Sequence, residues 1–296
     1  MLDRLAADSG SGLGNFEVSP AGIYAGVTGT SSIGTARSLV WMDTGGKIQP
    51  LSLDAKDYNN PVISPDGKRL AVTVRAGGKS DIFLCDLTGE RLTALTFTGQ
   101  AFGSVWAPDG KHLVFATPER TSTYWVRADG SGAPEMLFAA SDPMLILSTL
   151  GARRALWKIP LDLADPDHPK AGKAEPLPES GEALGAFFSP DGRWLAYVAR
   201  GGPGAKAQVF VQPFPPTGGK WRISAGAGKV AWSRTSRELV FTDDNRIMVA
   251  AYRVEGRTFV AETPRPWSTQ VNQGLASPCR TIPPSASCTT WVRTTW

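Results

Sequence analysis

The sequence predicts an all-β fold of repeated four-stranded units arranged as a propeller of six blades, and three observations predict it. First, one stretch recurs: SPDGKRLAV at 64–72, APDGKHLVF at 107–115 and SPDGRWLAY at 189–197. Second, the spacing is regular. Asp66 and Asp109 lie 43 residues apart, and Asp109 and Asp191 lie 82 apart, two steps of 41. A fixed period of about 40–45 residues built of short strands is the mark of a propeller blade. Third, each copy sits between short runs rich in β-branched and aromatic residues, as strands prefer, and no helix pattern emerges anywhere.

Each copy is a strand, a turn and a strand. Pro65, Pro108 and Pro190 hold φ near the value that the second turn position requires; Asp66, Asp109 and Asp191 suit the third position, and Gly67, Gly110 and Gly192 the fourth. These nine residues are the repeat turns. One Asp per blade at the same turn is a structural device, not a catalytic carboxylate or a calcium ligand. Before the turns run Pro61-Val62-Ile63, Gly103-Ser104-Val105-Trp106 and Ala186-Phe187-Phe188; after them come 69–74, 113–116 and 194–198. The third strands, 81–87, 123–126 and 208–211, are apolar on both faces and must be covered on both. Neighbouring blades provide that cover. A short fourth strand follows at 91–95, 135–138 and 220–223.

Taken in order, residues 1–14 are a Gly/Ser-rich flexible leader, whose glycines lack the strand and helix that a nucleotide loop needs. The first blade, about 15–53, opens on a worn motif, Phe16 to Gly22, with Ala21 at the Asp position 45 residues before Asp66. Strands at 38–43 and 47–51 complete it, joined through Gly45-Gly46. The second and third blades span 58–97 and 101–139. The fourth, 140–182, is shortened: it lacks the motif, its middle strands are read at Met144–Leu147 and Ala155–Leu161, and Asp162–Pro178 is a Pro- and charge-rich loop. The fifth spans 183–225. The sixth, 228–268, carries the motif as Ser233-Arg234-Thr235-Ser236, with Thr235 44 residues after Asp191. Residues 269–296 contain no Asp or Glu and form an irregular or disordered tail.

Composition bounds the function. The chain has 296 residues, 42% hydrophobic and 20% charged, ordinary for a globular protein. No apolar run reaches the roughly 18–20 residues of a membrane span, and the N-terminus has no apolar signal core. As written, the chain is expected to be cytoplasmic. The net charge of +4 is small and spread out, which argues against nucleic acid. Cys85, in a buried strand, behaves as a small hydrophobe; Cys279 and Cys288 lie in the tail, so no disulfide framework or zinc site is expected. His112, just after the third turn, is expected to be solvated, and His168 lies in the Pro-rich loop; neither has a metal-ligand partner at useful spacing. No Gly-x-Ser-x-Gly elbow occurs. Trp106, Trp125, Trp157, Trp194, Trp221 and Trp232 are expected to fill the wedges between blades.

The PDG units resemble the TolB-type, WD40-like (PD40) propeller repeats of bacteria. Over nearly all of the chain to about 268, the runs Leu39-Val40-Trp41-Met42-Asp43, 209–215 (VFVQPFP), 219–224 (GKWRIS) and Ala231-Trp232-Ser233 resemble the C-terminal propeller of bacterial receptor-like serine/threonine kinases. That resemblance implies a six-bladed, non-catalytic sensing or protein-interaction propeller. In relatives it is attached to an N-terminal kinase, often through a membrane span, which would place the propeller outside the cytoplasm. No Val-Ala-Ile-Lys, His-Arg-Asp or Asp-Phe-Gly occurs here, so no kinase is present. The expected function is a binding module for a protein, a peptide or a small ligand, with no cofactor and no catalytic or metal residue. The alternatives are an enzyme, hydrolase or lyase, using the central funnel, and a fragment of a longer kinase without function. The short fourth blade and an unsealed junction between the first and sixth should expose strand edges and favour self-association.

Overall fold

The computed structural model describes residues 17–18, 24–28, 36–42, 48–117, 122–139, 157–158, 161–173, 175–177, 182–200, 205–226, 229–233, 236–243 and 246–267. Among them every regular element is a strand. The first sheet joins β1 (Glu17–Val18), β2 (Tyr24–Thr28), β3 (Ser38–Met42) and β4 (Ile48–Pro50) in chain order. The second joins β5 (Asp57–Ile63), β6 (Arg69–Ala76), β7 (Lys79–Asp86) and β8 (Arg91–Ala94); the third β9 (Phe102–Trp106), β10 (His112–Ala116), β11 (Ser122–Arg127) and β12 (Glu135–Ala139). Next come two short ladders, β13 (Trp157–Lys158) with β16 (Glu175–Pro176) and, inside it, β14 (Leu161–Asp162) with β15 (Lys170–Ala171). The fifth unit is β17 (Glu182–Phe188), β18 (Trp194–Arg200), β19 (Ala207–Pro213) and β20 (Trp221–Arg222). The last is β21 (Val230–Trp232), β22 (Glu238–Asp243), β23 (Arg246–Glu255) and β24 (Thr258–Ala261), with β25 (Arg265–Pro266) returning onto β23.

The turns form as their residues dictate. The Gly67 amide donates to the Ser64 carbonyl (2.9 Å), Gly110 to Ala107 (3.0 Å) and Gly192 to Ser189 (2.8 Å). The three glycines sit at φ of 74°, 65° and 68°, where a side chain would be strained. A tight turn at each motif forces the following strand to run back antiparallel, so the sheets are meanders of consecutive chain.

First strands of neighbouring units pack on one another at three places: β1 on β5, β5 on β9, and β17 on β21. β1 also touches β21. The expected open junction between the first and last blades is therefore corrected: their innermost strands are in contact. Among the described residues no strand from one end of the chain pairs into the sheet of the other.

The core lies in the wedges between sheets. Leu39, Trp41 and Leu51 of the first sheet pack with Tyr58, Leu70, Val72 and Cys85 of the second. Ala71, Ile82 and Leu95 of the second pack with Trp106, Leu113, Phe115 and Val126 of the third. Cys85 and Ile82, three residues apart on β7, thus face opposite wedges, and a strand apolar on both faces follows from having a neighbour on each side. Trp194, Val209 and Val211 meet Val230, Trp232, Phe241 and Phe259 in the same way.

Asp162–Pro178 differs from the expected loop, because β14 ends in it and β15 and β16 fall within it. A two-residue ladder needs a few backbone bonds and no apolar alternation, so side-chain pattern does not reveal it. Likewise β2 is marked by no motif. The leader 1–14, Met144–Leu147 and the tail 269–296 with Cys279 and Cys288 lie outside the described residues. Among the described residues no helix is long and apolar enough to cross a membrane.

Candidate functional site at the loop end of the second and third blades

The meander gives the ring two ends. The PDG turns lie at one. At the other lie the hairpins between second and third strands and the connectors from one sheet to the next. The nine repeat-turn residues stay in three separate turns, and the structure brings no two of their carboxylates together. Each Asp serves its own turn: Asp66 Oδ1 accepts from the Ser64 hydroxyl and the Lys68 amide, and Asp191 Oδ1 from the Ser189 hydroxyl and the Arg193 amide. Ala107 has no hydroxyl, and there Asp109 Oδ2 meets His112 Nδ1 at 2.7 Å. Burial pushes all three carboxyls up, but these hydrogen bonds outweigh it and hold them below the ordinary carboxylate range.

The opposite end holds a display that sequence reading missed. Phe97, on the connector from β8 to β9, is 84% exposed. Its loop is nevertheless tightly held. Asp81 Oδ1 accepts from the Thr96 hydroxyl (2.8 Å) and both its oxygens accept from the Gly99 amide (3.1 Å each). The Ser80 amide donates to the Gly99 carbonyl and the Ala101 amide to the Ser80 carbonyl. Gly99 sits at φ 69° against the Lys79 stem, where a Cβ would lie 3.1 Å from Cδ. An aromatic ring left in water on a fixed loop loses little conformational entropy when a partner covers it.

Further polar and aromatic groups stand at the same end of these blades. The Arg75 guanidinium carbon lies 4.7 Å over the Phe102 ring. The first strands bulge in parallel: register shifts between Asn59 and Val62 on β5 and between Ala183 and Gly185 on β17, and β9 shifts opposite Val114 and Ala116. Asn60 adopts φ 46°, and its side-chain nitrogen lies 3.8 Å from where a Cβ on Gly103 would stand. Arg37, 3% exposed, is buried against Asp57, 6% exposed, at 3.5 Å, and also donates to the Tyr58 carbonyl (3.2 Å). Desolvation lowers the Arg37 pKa, and Arg75 adds to this while Asp57 opposes it. A lone Phe between threonines, Thr96-Phe97-Thr98, was the one available sequence signal for this site.

His112 corrects its expectation. It is 3% exposed, because the segment 161–173 folds over it. Its ring stacks on Trp125 at 4.8 Å, with Nδ1 on Asp109 and Nε2 3.1 Å from Asp167 Oδ1. His168 is exposed and meets Glu135 at 2.7 Å. Both histidines lie at the PDG end, away from Phe97. Trp106 and Trp232 fill wedges as expected and also donate from Nε1 to Val62 (2.9 Å) and Phe187 (2.8 Å) of the preceding first strand. The side chain of Trp157 lies outside the described residues.

No family model matches the chain. It is 32% identical over 106 residues to the Tol-Pal system protein TolB of Anaeromyxobacter dehalogenans, 35% of this chain and 24% of that protein. It is 30% identical over 140 residues to the tricorn protease homolog 1 of Streptomyces coelicolor, 42% of this chain and 13% of that protein. The chain thus spans about a quarter or less of the curated relatives it matches. Among solved structures, a chain of a nidogen/laminin complex superposes with TM-score 0.53 at 12% identity, over 78% of this chain and 89% of that one. A putative 6-phosphogluconolactonase from Bacteroides fragilis gives 0.52 at 16% identity, over 85% and 83%. These likenesses show the fold.

Proposed function

We propose that this TolB-like β-propeller is a non-catalytic binding module that takes a protein or peptide partner at the loop end of its second and third blades. The observation that carries the reading is Phe97, 84% exposed on a loop pinned by Asp81. The Arg75–Phe102 pair supplies a second aromatic face and a cation at the same end. The likeness to a Tol-Pal system protein supports a role within a protein assembly. The tie to serine/threonine kinases rests on the sequence resemblance alone.

The second reading is an enzyme working in the funnel. The fold neighbours include a putative lactonase and an acylaminoacyl peptidase, at TM-scores of 0.52 and 0.51. Fold likeness does not carry chemistry across. Both histidines, the side chains best suited to general-base work near neutrality, sit at the other end of the ring.

A random peptide library displayed against the whole chain separates the two. The expected result is an enriched peptide class whose Kd rises at least tenfold, about 1.4 kcal/mol, on Phe97→Ala. The urea midpoint should stay unchanged, because so exposed a side chain contributes little to folding. Equal binding by Phe97→Ala, or turnover of a lactone or peptide substrate by the wild type, would overturn the proposal.

A further inference from the structure

We propose that residues 161–173 form a proton-latched strap, docked on the PDG end of the third blade while His168 is protonated and loosened when it loses that proton. The strap is a compact element. β14 pairs with β15 through Leu161–Ala171 and Asp162–Lys170, and the Asp167 amide donates to Asp165 Oδ1 (3.1 Å) between them.

Its side-chain bonds to the third blade centre on the two histidines. Asp167 Oδ1 lies 3.1 Å from His112 Nε2 and accepts from Arg127 Nη1 at 2.7 Å. His168 Nδ1 lies 2.7 Å from Glu135 Oε1 on β12. Trp125, stacked on His112, donates from Nε1 to the Pro166 carbonyl at 3.0 Å. The chain has two histidines, and both sit across this one contact.

The geometry makes the contact sensitive to protons. His112 presents a ring nitrogen to a carboxylate on each side, Asp109 from its own turn and Asp167 from the strap. The charged groups facing the pair are Asp109, Asp167 and Asp165, Asp129 beside Arg127, and Glu135. Without the His168 charge, Glu135 on the third blade faces a strap whose Asp165 and Asp167 carboxylates lie close to the same ring.

The titration directions agree. Glu135 raises the His168 pKa, so its share of the docking energy is complete below about 6.5, the ordinary value, and is lost as pH rises through the raised one. His112 first, then Arg127, lower the Asp167 pKa, so its share is present above the ordinary carboxylate range and is lost only as pH falls through its lowered value. The strap is docked at mildly acidic pH and loosens toward alkaline pH.

Hydrogen exchange on the full chain at pH 5.5 and 8.5, corrected for the intrinsic pH dependence of amide exchange, tests this. The peptide covering 161–173 is expected to be at least tenfold better protected at pH 5.5, while β6 and β7 stay equally protected at both. Glu135→Gln removes the carboxylate that His168 faces and leaves the buried His112 ring untouched, and it should bring the ratio close to one. Equal protection of the wild-type strap at both pH values, or an undiminished ratio in Glu135→Gln, would overturn the latch.

Discussion

Asp66 and Asp191 each do two small jobs: they accept from the hydroxyl that opens the turn and from the amide that leaves it. That hydroxyl in turn accepts from the Arg69 or Trp194 amide five residues on, at 2.9 Å in both turns. Side-chain oxygens that satisfy backbone N–H groups in this way resemble helix caps in their energetics. Asp66→Ala should therefore cost about 1 kcal/mol, read as a lowered urea midpoint at pH 7. Because Asp66, Asp109 and Asp191 lie below the ordinary carboxylate range, their contribution is present above that range and disappears as pH falls through their lowered values. The difference between wild type and Asp66→Ala should shrink steadily between pH 5 and pH 2. A difference independent of pH would show that the carboxylate charge is not what closes the turn.

At the scale of strands, the repeat fixes where a contact is made but not its chemistry. The residue opening the second strand reaches the next unit in three successive motif copies. Arg69 donates from Nη2 to the Gly110 carbonyl at 2.6 Å and stacks over Trp106. His112 meets Asp167, and Trp194 packs on Phe259. Trp106 and Trp232 stitch first strand to first strand through equivalent indole bonds. Trp106→Phe keeps the ring in the wedge but leaves the Val62 carbonyl without its donor. It should destabilise by about 1–2 kcal/mol from the lost bond and the smaller ring, and chemical denaturation would measure it. No change on Trp106→Phe would mean that packing alone joins these strands. The hydroxyls of Thr96 and Ser224 repeat another contact, each accepting the amide of the third strand beyond the short outer one.

At the scale of the whole molecule, the blades are joined by apolar wedges and a few buried polar ties. Arg37 and Asp57 form such a tie between the first and second sheets, backed by paired backbone bonds between Arg37 and Lys56. A buried pair is costly to break on one side, because the remaining charge has no compensation. Arg37→Met should cost about 3 kcal/mol, and Arg37→Met combined with Asp57→Leu should recover much of it. Thermal or urea unfolding of the three variants would decide; a double variant as unstable as the single would place the cost in lost shape instead of stranded charge.

The turns, the period and the strands apolar on both faces are legible in the residues alone. Those features are local: Pro, Asp and Gly set φ within four residues, and alternation is read within a strand. Cys85 and Ile82 could be assigned to a doubly covered strand for that reason. The burial of His112, the Arg37–Asp57 pair, the contact of β1 with β21 and the exposure of Phe97 on a pinned loop come from the packing of distant segments. His112 and Asp167 are 55 residues apart and on different units, and nothing in either neighbourhood encodes the other. Packing of the 161–173 segment back onto the third unit makes them neighbours. Local chemistry sets the blade, whereas burial and pairing between blades depend on which distant surfaces the closed ring presses together.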